Sequence, residues 1–200
     1  IIGMAPCTAS ASDRAPILGP IRNKLLNEDP MRIGYLWDKM YMGRTRKPVA
    51  KGDYIIAMSV VDNALWDLKG KALRQPVWKL VGGTQDKVWV YAAGGYYADG
   101  KGLKELANEL ESYVKDGFRA VKMKVGWPGV TLRHDAERVK AVREAIGPEV
   151  ELMVEANNAW DANTAIRFGR MVEKYDPYWF EEPVHTVVGV AVVAERAAQR

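Results

Sequence analysis

Along the first third of the chain, apolar residues recur three and four positions apart. Ile21 to Leu26, Met31 to Met42 and Tyr54 to Leu73 each gather their hydrophobic side chains on one side of a helical repeat, which predicts helices. Asp29-Pro30 offers an N-cap followed by Pro at the first helical position, so a helix is expected to start there. Leu80-Val81-Gly82-Gly83 closes the block with a glycine stop.

After residue 86 the rhythm changes. Short apolar runs (Val88 to Ala92, Phe118 to Val125, Val150 to Ala156, Tyr178 to Glu181) alternate with amphipathic stretches (Leu103 to Lys115, Thr131 to Ile146, Asp161 to Lys174). Successive runs begin roughly 30 residues apart, the length of a βαβ unit, which predicts a parallel sheet. Gly94-Gly95 leads into Tyr96-Tyr97 and not into a phosphate-cradling helix start, which argues against a dinucleotide-binding sheet. A closed barrel needs about twice as many strands as are present. The expected fold class is therefore α/β: the first half of a TIM-type (β/α) barrel over residues 87–200, preceded by a helical segment over residues 1–86.

Composition narrows the function classes. An apolar fraction of 48% with seven Trp residues marks a globular chain. The one cysteine, Cys7, excludes an internal disulfide, reads as a bystander and suits a reducing, cytoplasmic setting. No apolar stretch reaches the roughly 20 residues that span a bilayer, so no membrane partner is expected. Ile1-Ile2-Gly3-Met4 has neither an initiator Met nor the basic flank of a signal peptide, and reads as the interior of a longer chain. The net charge is +4, but the 29 Lys and Arg are scattered among 25 Asp and Glu without a basic run. No nucleic-acid partner is expected, and the surplus at most favours an anionic substrate.

The candidate chemistry lies at strand ends. In Phe118 to Val125, alternation puts Ala120, Lys122 and Lys124 on one face and Val121, Met123 and Val125 on the other. In a half-exposed sheet both lysines would simply face water. Both faces of a parallel strand are covered, however, and barrel enzymes place their chemistry at the C-terminal strand ends. Two ammonium groups crowded in a partly desolvated site are expected to lower each other's pKa, giving a general base near neutrality. The next strand points Leu152 and Val154 one way and Met153, Glu155 and Asn157 the other, and the last ends in Phe180-Glu181-Glu182-Pro183. Acids at neighbouring strand ends suit a hard cation such as Mg2+.

Val121-Lys122-Met123-Lys124-Val125-Gly126, then Val154-Glu155-Ala156-Asn157, then Trp179-Phe180-Glu181-Glu182-Pro183 resembles the mandelate racemase subgroup of the enolase superfamily. Ser59 to Lys71 is similar to the helix that ends that family's α+β capping domain, and Tyr91 to Tyr97 is similar to the opening barrel strand of its acid-sugar dehydratase-like members. The resemblance implies that residues 1–86 are the C-terminal helical part of the capping domain. It implies that Lys124 is the base that takes the α-proton, with Lys122 beside it meeting the substrate carboxylate. Glu155 and Glu181 become Mg2+ ligands, and Asn157 and Glu182 orient substrate or ligands. Superfamily chemistry uses a Lys or His base with Mg2+ to stabilise an enediolate.

The pattern also departs from the family. Asp is usual where Glu155 stands, and the extra methylene carries the carboxylate further into the site. A third metal ligand and a His base with its Asp partner are expected beyond Arg200, and the capping domain's initial sheet before Ile1. After Pro183 the family has a polar loop, whereas Val184-His185-Thr186-Val187-Val188-Gly189-Val190 is apolar. His134 and His185 read as structural or solvated. Trp127, Trp160 and Tyr96 read as core or rim residues and, second, as pocket lining. The expected function is Mg2+-dependent abstraction of a proton α to a carboxylate, leading to dehydration of an aldonate- or aldarate-like acid sugar by a complete, homo-oligomeric enzyme. A racemase or epimerase and a cycloisomerase share the same intermediate. A non-catalytic half-barrel serving binding or assembly is the alternative from another class.

Overall fold

The computed structural model describes residues 1–5, 11–42 and 52–185. Cys7 and the tail beyond His185 lie outside these residues. The chain divides into two units, Ile1–Lys87 and Val88–Arg200.

In the first unit, α1 (Ala11–Pro16), a π-helical turn (Ile17–Ile21) and α2 (Arg22–Leu25) follow one another directly. Pro20 lies inside the widened turn, where its missing N–H removes one ladder hydrogen bond. Then come α3 (Ile33–Tyr41), α4 (Asp53–Leu73) and α5 (Val77–Leu80). Ile21, Met40, Ala57 and Met58 form the buried centre, with Ile17, Tyr54 and Leu65 packed around them. The start expected at Asp29-Pro30 is corrected. The Asp29 carboxylate accepts the Met31 amide at 2.9 Å and its carbonyl accepts that of Arg32 at 3.2 Å, which makes a turn, and the helix begins at Ile33. The glycine stop after Leu80 takes a Schellman form. Gly82 N–H donates to Lys79 O at 3.0 Å and Gly83 N–H to Trp78 O at 2.8 Å.

The second unit alternates β1 (Ala92–Gly94), α6 (Leu103–Lys115), β2 (Ala120–Lys124), α7 (Leu132–Ile146), β3 (Glu151–Glu155), α8 (Ala162–Val172), a 3-10 turn (Glu173–Tyr175) and β4 (Pro177–Glu181). The strands form one parallel sheet in the order β1-β2-β3-β4. Thr131 and Asp161, placed inside helices by their patterns, are N-caps; their side chains accept the His134 amide at 3.2 Å and the Thr164 amide at 2.8 Å. The expected strand Val88–Ala92 is displaced to Ala92–Gly94. Only these residues pair with β2, from Ala92 opposite Val121 to Gly94 opposite Met123. Val88, Trp89 and Val90 are exposed, so their β propensity goes unused for want of a neighbour among the described residues.

One sheet face meets the helices. Val121, Met123, Leu152 and Val154 pack against Leu106 and Leu110 of α6, Val139 and Val142 of α7, and Phe168 and Val172 of α8. Each such side chain contributes about 1.5–3 kcal/mol on burial. Arg143 of α7 ties down the N-terminal strand ends by donating to the carbonyls of Val150 at 2.6 Å, Tyr175 at 2.8 Å and Asp176 at 2.9 Å. The opposite face is concave. Tyr91, just before β1, meets Trp179 of β4 edge-on at 5.5 Å between ring centroids, although two strands lie between them. Four consecutive parallel strands curling around an inner face, with helices outside, are the first half of a (β/α) barrel.

Candidate active site

Parallel register brings the chemistry together. Lys124 of β2 lies opposite Glu155 of β3, and Glu155 lies opposite Glu181 of β4, so one row of inner-face residues crosses three C-terminal strand ends. Lys122 Nζ lies 2.7 Å from Glu155 Oε2 and 2.7 Å from Glu181 Oε1. Lys124 forms an ion pair with Glu155 Oε1 and donates to Asn157 Oδ1 at 2.5 Å. Asn157 Nδ2 returns a hydrogen bond to Glu155 Oε1 at 2.6 Å. Glu182 is exposed and accepts from Asn158 Nδ2 at 3.2 Å and, at the limit of 3.5 Å, from Asn157 Nδ2. All six residues singled out from the sequence thus lie in one cluster.

The centre of the cluster is charged and dry: the side chains of Lys122 and Glu155 are 10% and 7% exposed. Burial pulls the Lys122 pKa down, but hydrogen bonds to Glu155, Glu181 and Tyr91 outweigh it and hold the ammonium above the ordinary lysine range. The expectation that crowding lowers this lysine is corrected, because each positive charge meets a carboxylate before it meets the other. Burial raises the Glu155 pKa, and the hydrogen bonds from Lys122 and Lys124 outweigh that to hold the carboxyl below the usual range. The backbone beyond the strands is unusual. Asn157 has φ of 46° and Glu182 of 43°, a region that Asn tolerates and that costs Glu about 1–3 kcal/mol. Pairing continues through this turn, with Ala156 N–H donating to Glu181 O at 3.1 Å and Asn158 N–H to Glu182 O at 2.6 Å.

Residues 1–82 match the mandelate racemase / muconate lactonizing enzyme N-terminal domain family, and residues 105–199 match the enolase C-terminal domain-like family. The chain belongs to the mandelate racemase subgroup of the enolase superfamily. It is 44% identical over 170 residues to the arabinonate dehydratase of Saccharolobus solfataricus, covering 85% of this chain and 44% of that protein. It is 41% identical over 163 residues to the 3,6-anhydro-alpha-L-galactonate cycloisomerase of Streptomyces coelicolor, covering 82% and 44%. The crystal structure of a racemase from Streptomyces coelicolor with bound magnesium superposes with a TM-score of 0.81 at 36% identity, covering 95% of this chain and 52% of that one. The chain spans about half the length of the relatives it matches.

Members of this superfamily bind Mg2+. Two inner-face carboxylates of this chain already converge on one cation, the Lys122 ammonium. Oxygen donors so placed fit a hard divalent ion. Among the described residues no group of three or more His, Cys, Asp or Glu is arranged to hold a metal.

Sequence reasoning missed several residues around this cluster. Trp179 Nε1 donates to Glu181 Oε2 at 3.1 Å, and Tyr91 lies beside Lys122 with its ring centroid 5.2 Å from Nζ. Tyr97, Asp135 and Arg138 bind together the loops that follow β1 and β2. A signal existed for the last two: Asp135 and Arg138, three apart, interrupt the apolar stripe of α7 that carries Ala136, Val139 and Val142. Trp160 is partly buried against the core, its ring tilted on that of Phe168 at 4.7 Å between centroids. Trp127 is exposed and lies against Tyr97. Tyr96, also exposed, faces Lys124 with its ring centroid 5.7 Å from Nζ. His134 and His185 are exposed, and among the described residues no helix is long and apolar enough to cross a membrane.

Proposed function

We propose that these residues form the lysine-bearing half of an active site that removes the proton α to a carboxylate in an acid sugar and expels the β-hydroxyl. The observation that carries this reading is the row Lys124–Glu155–Glu181 with Lys122 seated between the two acids. Residues 87–200 are the first half of the barrel and residues 1–86 the helical part of the capping domain. The complete protein is cytoplasmic, homo-oligomeric and specific for a small-molecule carboxylate.

The roles follow from the environments. Lys124 takes the α-proton on Nζ. Its contact with Asn157 holds the amine in place, and Asn157 is itself tied to Glu155. Lys122, seated between the two acids, is the cation that meets the substrate carboxylate. Glu155 and Glu181 hold Mg2+, with Trp179 orienting Glu181 and with Asn157 and Glu182 setting the turn beyond each acid. The bound ion supplies the positive charge that an enediolate's second negative charge requires. Glu155 reaches as far as the Lys122 and Lys124 ammonium groups, so the additional methylene does not keep its carboxylate out of the row.

Dehydration is preferred over epimerisation and cycloisomerisation because the arabinonate dehydratase has the highest identity of the relatives named above. The test is to incubate the complete protein and Mg2+ in D2O with a panel of aldonates and aldarates. Loss of water to a 2-keto-3-deoxy product is expected for at least one of them, with solvent deuterium at C3, where the enol is reprotonated once the α-carbon has become the ketone. Exchange with inversion and no loss of water would assign a racemase or epimerase. Neither exchange nor loss of water across the panel would refute proton abstraction.

A further inference from the structure

Beyond the row of lysines and acids, α7 carries a buried ion pair. Asp135 is fully buried and Arg138 is 2% exposed, with Arg138 Nε 3.9 Å from Asp135 Oδ1. Each of the two reaches both neighbouring loops. Asp135 accepts the Tyr97 hydroxyl at 2.5 Å from the loop after β1 and the Gly126 amide at 2.9 Å from the loop after β2. Arg138 donates to Gly95 O at 2.7 Å in the first loop and, at 3.4 Å, to the carbonyl of Lys124 itself. Its guanidinium also lies over the Tyr97 ring, 3.9 Å from the centroid.

The clasp is tight at both glycines. Gly95 has φ of 64°, and a Cβ there would stand 2.8 Å from that of Met123; Gly126 has φ of 81°, and a Cβ there would stand 2.8 Å from that of Ala159. A side chain at Gly95 would collide with β2 and α6, and one at Gly126 with the loop after β3, so either would displace a loop that the clasp holds. Tyr97 is held under Arg138, and its neighbour Tyr96 presents its ring to the Lys124 amine at 5.7 Å. A buried ion pair adds little to stability compared with apolar residues of the same volume. What this pair supplies is geometry: it joins the backbone that carries Lys124 to the loop that covers it.

We propose that Tyr97, Asp135 and Arg138 are positioning residues that fix the Lys124 amine against the Tyr96 ring, so that a helix outside the barrel sets the geometry of proton abstraction inside it. This rests on Lys124 being the base. Misplacing a reacting group by about 1 Å costs on the order of 100-fold in rate. A clasp bonded to the Lys124 carbonyl and to the amide two residues on controls displacements of that size.

The experiment uses Asp135→Asn and Tyr97→Phe in the complete protein, assayed well below the melting temperature and per folded molecule. Tyr97→Phe removes one hydroxyl and leaves the ring under the guanidinium, so it remains informative if Asp135→Asn does not fold. The kcat for turnover of an acid sugar in D2O, read as α-deuterium in recovered sugar and as 2-keto-3-deoxy product, is expected to fall about 10–100-fold, with KM and the Mg2+ dissociation constant within about threefold of wild type. Hydrogen exchange of the Gly126 amide is expected to accelerate in Asp135→Asn. A merely structural clasp would lower the melting temperature and leave kcat per folded molecule unchanged, and that result overturns the proposal. Parallel losses in kcat, KM and Mg2+ affinity overturn it too, since the whole site would have loosened. Loss of exchange in Lys124→Ala alongside wild-type kcat in Tyr97→Phe removes the positioning role and leaves Lys124 the base. Unchanged exchange in Lys124→Ala removes both.

Discussion

On the face of the sheet that meets α6, α7 and α8, Val121, Met123, Leu152 and Val154 are fully buried. On the other face Lys122 and Glu155 are almost as dry, at 8% and 5% exposed, and charged. The residues alternate along the same strands, so backbone, register and chain length are held equal between them. Apolar burial on the first face is favourable at every position. On the second, pairing the charges roughly offsets the cost of removing them from water. The helix-side face therefore carries the stability, and the inner face spends little of it to keep charged groups where a substrate carboxylate and a cation can use them.

Variants on the two faces should separate accordingly. The largest effect belongs to Lys124→Ala in the complete protein. Its α-deuterium exchange, followed by NMR in D2O, should fall about 10²–10⁴-fold while Mg2+ affinity changes little. Wild-type exchange in that variant would put the base elsewhere and leave the inner face electrostatic only.

Leu152→Ala is the counterpart on the other face. It should cost about 2–5 kcal/mol in urea unfolding because the cavity has packed neighbours on three helices. The molecules that remain folded should bind Mg2+ as wild type does. A joint loss of stability and ion affinity would mean that the faces are coupled and not separable.

Next comes charge against reach at the metal. Calorimetric titration should give Glu155→Asp an Mg2+ affinity close to wild type and Glu155→Gln one weakened by about tenfold or more. Equal affinities in all three proteins would remove Glu155 from the ion's donors.

The smallest effect is on pH dependence without added metal. The folded Glu155 pKa lies below its ordinary value, so its stabilising contribution is present above about pH 4.3 and is lost as pH falls through the folded value. The Lys122 pKa lies above its ordinary value, so its contribution is complete below about pH 10.4 and is lost as pH rises through the folded value. Urea unfolding against pH should show a shallower acid loss in Glu155→Gln. In Leu152→Ala the curve should be lowered throughout with its shape unchanged. An identical acid limb in wild type and Glu155→Gln would show that the paired carboxylate contributes nothing to it.

Much of this was legible from local pattern. Alternation within Ala120–Lys124 and Glu151–Glu155 assigns the inner and outer residues as the structure does, because a strand's side chains change face at each step whatever surrounds them. The span Leu103–Lys115 of α6 coincides with its amphipathic stretch for the same kind of reason. Where the pattern misled, a non-local partner or a competing local bond was responsible. Val88 to Ala92 has strand composition, but a strand is defined by its neighbour, and β2 offers pairing only to Ala92–Gly94. Asp29-Pro30 has the makings of a cap, but the Asp29 side chain reaches the Met31 amide and closes a turn first.

The sequence by itself determined the strand–helix alternation, the faces of the strands and the identities of the strand-end lysines and acids, since each depends on residues a few positions apart. Only the tertiary structure decided which charge meets which. Register across three strands puts Lys122 between Glu155 and Glu181, and that contact, not the nearby second lysine, sets the direction of its pKa. The clasp of Asp135 and Arg138 on Gly95, Tyr97, Lys124 and Gly126 was equally beyond reach of periodicity. A buried charge shows on its own helix as a break in the apolar stripe, but its partners sit on loops brought to it by the folding of other strands.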